Sequence, residues 1–148
     1  MERKLEIIKK CYELGLDYVT QDSCLFFYSL VKMKSPEKVL ELGTGNGATA
    51  FMIALAMSEN NKGVITTIDN ASAWKKIESL TDHVNKYKTK WKLKKYLNFK
   101  KENVNFNNLS YLKNVDIVTS DFLRTPEYVG PLLYWWLLHS NTYSSLFI

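Results

Sequence analysis

Apolar positions along the chain follow two periods, helical and strand-like, that alternate from end to end. Leu5, Ile8, Cys11 and Tyr12 recur at helical spacing over residues 3–14, and Gly15 is a natural stop. Residues 21–33 read as a second helix, with Asp22 or Ser23 as caps and Ser35-Pro36 as the break. The apolar run Lys38-Val-Leu-Glu-Leu42 then reads as a strand that feeds a loop with glycines at 43, 45 and 47. Residues 48–58 predict a helix, in which Ala48, Ala50, Ala54 and Ala56 allow close approach to strands while Phe51, Ile53, Leu55 and Met57 supply buried area. Glu59-Asn-Asn-Lys-Gly63 is a turn into a second strand, Val64–Asp69. A third strand is expected at 115–120 and the start of a fourth at Tyr143–Ile148. The 45 residues from 70 to 114 are long for one crossover, so an inserted helix or lid is expected there. Leu80, Val84, Tyr87 and Trp91 give that insertion one apolar helical face. After Pro131 as helix start, the stretch to His139 is apolar on nearly every side and wants burial all round. The alternation predicts an α/β fold, a Rossmann-like parallel sheet with helices on both faces and helices at the N-terminus.

The informative chemistry lies where the first two strands end. Glycines at 43, 45 and 47 remove the Cβ atoms that would hold a ligand off the backbone, so the loop can serve as a floor. In a right-handed βαβ unit the second strand lies beside the first, which brings Asp69 next to that loop at the carboxyl edge. A carboxylate there can accept hydrogen bonds from both hydroxyls of a ribose. Read as Gly43-x-Gly45-x-x-Ala48, the loop also satisfies the dinucleotide pattern, so NAD or FAD is one candidate. Glu41 favours another. A carboxylate at the end of the first strand repels a pyrophosphate, whereas it attracts a cofactor carrying a sulfonium and an ammonium, such as S-adenosylmethionine (SAM).

Glu41-Leu-Gly-Thr-Gly-Asn-Gly47 resembles motif I of the class I SAM-dependent methyltransferases, and Ile68-Asp69 resembles the acidic end of their second strand. The wording of Val39–Gly45 and Val64–Asp69 is most similar to the small O-methyltransferase-like branch, over roughly residues 21–148. The resemblance implies a methyltransferase using SAM, with the cofactor lined by Glu41, Gly43, Thr44, Gly45, Gly47, Asp69, Asn70, Asp121 and Phe122. The glycine loop and first-strand acid would hold the methionine part, Asp69 the ribose, and Asp121 would face the adenine. Asn70 stands where the family usually places an apolar or longer residue. The resemblance also implies an incomplete class I fold, ending inside the fourth strand before the acidic motif that binds metal or positions substrate. Catalytic residues and metal ligands are therefore not assigned.

Composition narrows the setting. Residues 1–148 can build one core, read as a single SAM-binding domain with a helical N-terminal cover at 1–36 and a Rossmann-like core at 37–148 carrying a basic helical insertion at about 74–102. There is no apolar run long enough to span a bilayer, and the charged start Met1–Lys10 has no signal-peptide core, so a cytoplasmic address is expected. Cys11 and Cys24 have no metal-ligand partners at motif spacing and read as packing or surface residues. Lysines at 75, 76, 86, 88, 90, 92, 94, 95, 100 and 101, interleaved with aromatics, could meet nucleic acid, but a net charge of +5 is modest and a solvated face is favoured. His83 and His139 lack relay partners and read as surface or core histidines. The expected acceptor is a small molecule, and the apolar C-terminal helix predicts a homo-oligomer or a bound partner. Two alternatives stand beside the methyltransferase reading: an NAD- or FAD-binding Rossmann protein, and a truncated, non-catalytic module acting through its apolar C-terminal face.

Overall fold

A computed structural model describes residues 2–13, 20–106, 114–121, 125–140 and 144–148. Its strands are β1 (Lys38–Leu42), β2 (Val64–Asp69), β3 (Leu97–Lys101), β4 (Ile117–Ser120) and β5 (Ser145–Phe147). All pair in parallel in one sheet, in the order β3-β2-β1-β4-β5. The order reverses at β1, so the crevice outside its carboxyl end, between the loops after β1 and β4, is the topological switch point where open α/β sheets bind ligands.

The helices are α1 (Glu2–Glu13), α2 (Gln21–Lys34), α3 (Ala48–Asn60), α4 (Leu80–Lys90) and α5 (Pro126–His139). Val39, Ile65, Leu97 and Ile117 turn to one face of the sheet, where α1 to α4 cover them. On α3 every residue from Ala48 to Met57 is buried, and α1 and α2 pack against its outer side. A helix buried all round reads as apolar without a stripe, which is the pattern of Phe51-Met-Ile-Ala-Leu-Ala-Met57. Fully burying side chains such as Phe51, Ile53 and Leu55 contributes roughly 1.5–3 kcal/mol each before conformational entropy is set against it. Leu40, Leu42, Ile68 and Val118 face the opposite way and pack with Tyr128, Leu132 and Trp135 of α5. The other side of α5 leaves Leu133, Tyr134, Leu137 and Leu138 exposed.

Several boundaries differ from the sequence reading. Residues 97–101, included there in a helical insertion, form the edge strand β3 beside β2. Lys94, Lys95, Lys100 and Lys101 hide the strand by raising its polarity, yet lysine is what an unpaired sheet edge tolerates. The insertion is thus an ordinary helix-strand step: α4 buries Leu80, Val84 and Tyr87, with Trp91 buried just beyond it, as the spacing predicted. The third and fourth strands of the sequence reading become β4 and β5. Helix α2 is capped by Thr20, whose Oγ1 accepts the Ser23 N–H at 3.2 Å, and not by Asp22 or Ser23. Helix α5 starts at Pro126, with Pro131 inside it. Proline at the first position loses no bond, whereas Pro131 forgoes one intrahelical donor. Side chains of Cys11 and Tyr12, and Gly15, lie outside the described residues; Cys24 is buried, and burial pushes its thiol up to about 11.

The start of β1 is held from the neighbouring strand. Asp116, just before β4, accepts the N–H groups of Glu37 and Lys38 on one oxygen, at 2.7 and 3.0 Å. Its own N–H donates to the Lys38 carbonyl at 2.9 Å. Asp116→Ala is expected to lower the unfolding free energy by about 1.5–3 kcal/mol, the range for hydrogen bonds to a charged group. Urea denaturation with an unchanged slope is the check; a shift within 0.5 kcal/mol or so, as for an ordinary surface change, would show that the pair does not hold the strand.

Candidate functional site

The loop after β1 turns on three residues with positive φ: Gly43 at 94°, Gly45 at 52° and Gly47 at 82°. Two of them have different reasons to be glycine. A Cβ at Gly47 would stand 2.7 Å from the Phe51 ring, so that residue is needed by the fold. A Cβ at Gly45 would meet nothing within 4 Å, so the backbone there faces open space on the side a ligand would approach. Because Gly47 has no side chain to cap α3, Asn46 does so, its Oδ1 accepting the Ala48 N–H at 3.0 Å.

Asp69 closes against this loop from the end of β2. Its Oδ2 accepts the N–H groups of Thr44 at 2.9 Å and Gly45 at 3.2 Å, and its Oδ1 accepts the Ala71 N–H at 2.6 Å. One carboxylate therefore clamps two loops, while Oδ1 retains one lone pair. The adjacency expected from a βαβ unit is present: Leu42 pairs with Ile68, and the Gly43 N–H donates to the Ile68 carbonyl at 2.9 Å.

Glu41 is 4% exposed and lies opposite Thr67 in the parallel register. The Thr67 hydroxyl donates to Glu41 Oε2 at 2.5 Å and lies 2.6 Å from the Thr44 hydroxyl, so a hydroxyl relay links the buried acid to the glycine loop. Burial pushes the Glu41 carboxyl up to about 8; the Thr67 hydrogen bond opposes this, and the nearby charges of Asp69 and Asp121 add to it. Asp121 is exposed just past β4, its N–H donating to the Leu42 carbonyl at 3.1 Å. The site is thus acidic, with three carboxylates around one loop. Among the described residues no group of three or more His, Cys, Asp or Glu is arranged to hold a metal ion.

Asn70 is turned away from the loop: its Nδ2 donates to Asn103 Oδ1 at 2.9 Å, and its Oδ1 accepts the Ser72 N–H at 2.8 Å. It ties the loop after β2 to the residues after β3. Phe122 lies outside the described residues. The sequence reading gave no role to Thr67, Asn46 or His83, all buried at this edge. A threonine in the middle of a central apolar strand was the available signal for the first, since a buried hydroxyl needs a partner.

Glu41 sets a pH dependence. With a carboxyl at 4.5 when unfolded and about 8 when folded, the folded chain keeps a proton that the unfolded chain gives up between those values. Stability therefore falls as pH rises through that window, by up to about 1.4 kcal/mol for each pH unit crossed, and levels off above it. Glu41→Gln removes the titration. The variant is expected to match the wild type near pH 5 and to exceed it by more than about 1 kcal/mol at pH 9; parallel urea curves at both pH values would refute a buried neutral Glu41.

A family profile for the methyltransferase domain matches residues 40–148. Solved structures with the same fold include the SAH-bound methyltransferase PaMTH1 of Podospora anserina, at 14% identity and a TM-score of 0.70 over 94% of this chain and 57% of that one. The O-methyltransferase from Bacillus cereus in complex with SAH is similar at 16% identity and a TM-score of 0.68, over 95% of this chain and 62% of that one. TomG from Streptomyces achromogenes, an O-methyltransferase in complex with SAM, is similar at 16% identity and 0.67, over 95% and 61%. The chain thus spans about three-fifths of the length of these proteins. No individually curated protein sequence matches it.

Proposed function

The chain belongs to the methyltransferase domain family, and from that premise we propose that it binds SAM at the carboxyl edge of β1 and β2 and serves methyl transfer from it. The observation that carries the proposal is a buried acid, Glu41, behind a glycine loop that leaves Gly45 open to a ligand. A pyrophosphate would meet the charges of Asp69 and Asp121 there and would hold Glu41 in its neutral form, which argues against NAD or FAD. A cationic cofactor offsets them.

In this reading Gly43, Thr44, Gly45 and Gly47 form the floor, and Glu41 answers the positive charge through the Thr67–Thr44 relay. Asp69 holds the loop and offers the remaining lone pair of Oδ1 to the ribose, and Asp121 borders the adenine. Asn70, bonded to Asn103, shapes the rim and does not stack. The cofactor supplies an electrophilic methyl group on a positively charged sulfur. The chain's part is alignment, and holding reacting groups in line can lower a barrier by roughly 7–11 kcal/mol. The acceptor is read as a small molecule, in keeping with the similarity to O-methyltransferases such as TomG and the Bacillus cereus protein.

No helix among the described residues is long and apolar enough to cross a membrane. A single domain, a cytoplasmic address and self-association through the exposed side of α5 remain parts of the proposal, resting on composition and on Leu133, Tyr134, Leu137 and Leu138. Nucleic acid is a weaker reading of the lysines, because Lys86 and Lys90 are paired with Glu78 and Glu6, and Lys94, Lys95, Lys100 and Lys101 lie in or beside the edge strand β3.

Calorimetric titration of the chain with S-adenosylhomocysteine, with NAD alongside, tests the proposal. Saturable binding of the first and none of the second is expected, with Gly45→Ala weakening it at least tenfold, about 1.4 kcal/mol. A folded chain that binds NAD in preference, or binds neither, would overturn it.

A further inference from the structure

We propose that His83 is a positioning residue for the cofactor loop, holding that loop and the loop after β2 at a fixed separation. The inference rests on the reading of this edge as the cofactor site. His83 is 0% exposed on the inner face of α4. Its Nε2 lies 3.0 Å from the backbone carbonyl of Asn46, between Gly45 and Gly47 at the tip of the loop. A carbonyl only accepts, so Nε2 is the donor. Its Nδ1 faces Glu78 Oε1 at 3.4 Å, and its ring centroid is 4.9 Å from that of Trp74. Trp74 in turn donates its Nε1–H to the Glu78 carbonyl at 2.7 Å, so the second loop folds around the same imidazole. Tyr87 on the far side, also 4.9 Å away, fixes the ring from behind.

The bond to Asn46 matters because it sets a peptide plane. With the Asn46 carbonyl held inward, the next N–H, that of Gly47, points the opposite way and donates to the Thr44 carbonyl at 2.8 Å, which closes the turn. Without the imidazole the buried carbonyl loses the bond that His83 gives it, and the flanking glycines offer little resistance to a flip. Asp69 holds the loop at Thr44 and Gly45; His83 holds it at Asn46, from the other side of the gap.

Three variants separate positioning from packing. His83→Phe keeps a ring among Trp74, Tyr87 and Phe51 but donates nothing, and is expected to weaken S-adenosylhomocysteine binding about tenfold. His83→Gln places an amide N–H near the Nε2 position and is expected to recover most of that affinity, although it fills the aromatic pocket less well. His139→Gln serves as the control for the second histidine. In the wild type, a long-range proton–nitrogen spectrum should show His83 protonated at Nε2 and its signals displaced on adding S-adenosylhomocysteine. Wild-type binding with His83→Phe equally tight, or His83 signals unmoved at saturation, overturns this inference alone. Failure of the wild type to bind overturns the cofactor reading and this inference with it.

Discussion

The parallel register of β1 against β2 is the constraint on which the rest of the structure depends. It sets Glu41 beside Thr67 and Leu42 beside Ile68, and so delivers Asp69 under the amides of Thr44 and Gly45. A slip of one residue would turn Glu41 into the core beneath α5 and point Leu40 and Leu42 at the other layer. The hydrophobic pattern forbids this from both sides, because Val39 and Ile65 are buried under α3 while Leu40 and Ile68 are buried under α5. Packing thus specifies the position of the acids without any of them contributing to the packing.

The two layers over the sheet differ in completeness. The face under α1 to α4 is closed by a continuous aromatic run, in which Phe51 lies 5.0 Å from Trp91 and Trp91 lies 4.8 Å from Tyr87. That run ends at His83 and therefore at the glycine loop, so the core and the site share side chains. The face under α5 is thinner, and α5 is apolar on the side that the sheet does not cover.

The fold was legible where sequence period and burial agree. Both motif strands and the helix between them are apolar runs bounded by turn residues, and α4 has a stripe at a period of 3.6, each matching its burial. Strand β3 was not legible, because an edge strand with Lys94, Lys95, Lys100 and Lys101 around Leu97 and Phe99 has the polarity of a surface helix, and the pairing that makes it a strand is a property of β2. The start of α5 was missed for a related reason: Pro126 and Pro131 both suit a first turn, and only the packing of Tyr128 chooses between them. In the site, Glu41, Asp69 and the glycines are local in sequence and could be read together. His83 is 37 residues from the carbonyl it holds, and a lone histidine in a lysine-rich stretch carries no local sign of a long-range partner.

Glu41 shows why such a site should be incompatible with maximal stability. A carboxyl buried with a hydroxyl as its hydrogen-bond partner, near two further acids, either keeps its proton or costs the fold the charge it cannot solvate. A glutamine of the same shape would keep the Thr67 bond and avoid the cost. On the function proposed above, the acid makes physical sense as one half of an ion pair whose other half is not part of the chain: a cation brought by a ligand would restore the charge balance and let Glu41 ionise. By linkage, such a cation would be held more tightly as pH rises towards the value at which the empty site loses its proton, while the empty fold grows less stable over the same range. Opposing pH dependences of fold and ligand would then follow from a single buried side chain, with no positively charged residue placed inside the core to produce them.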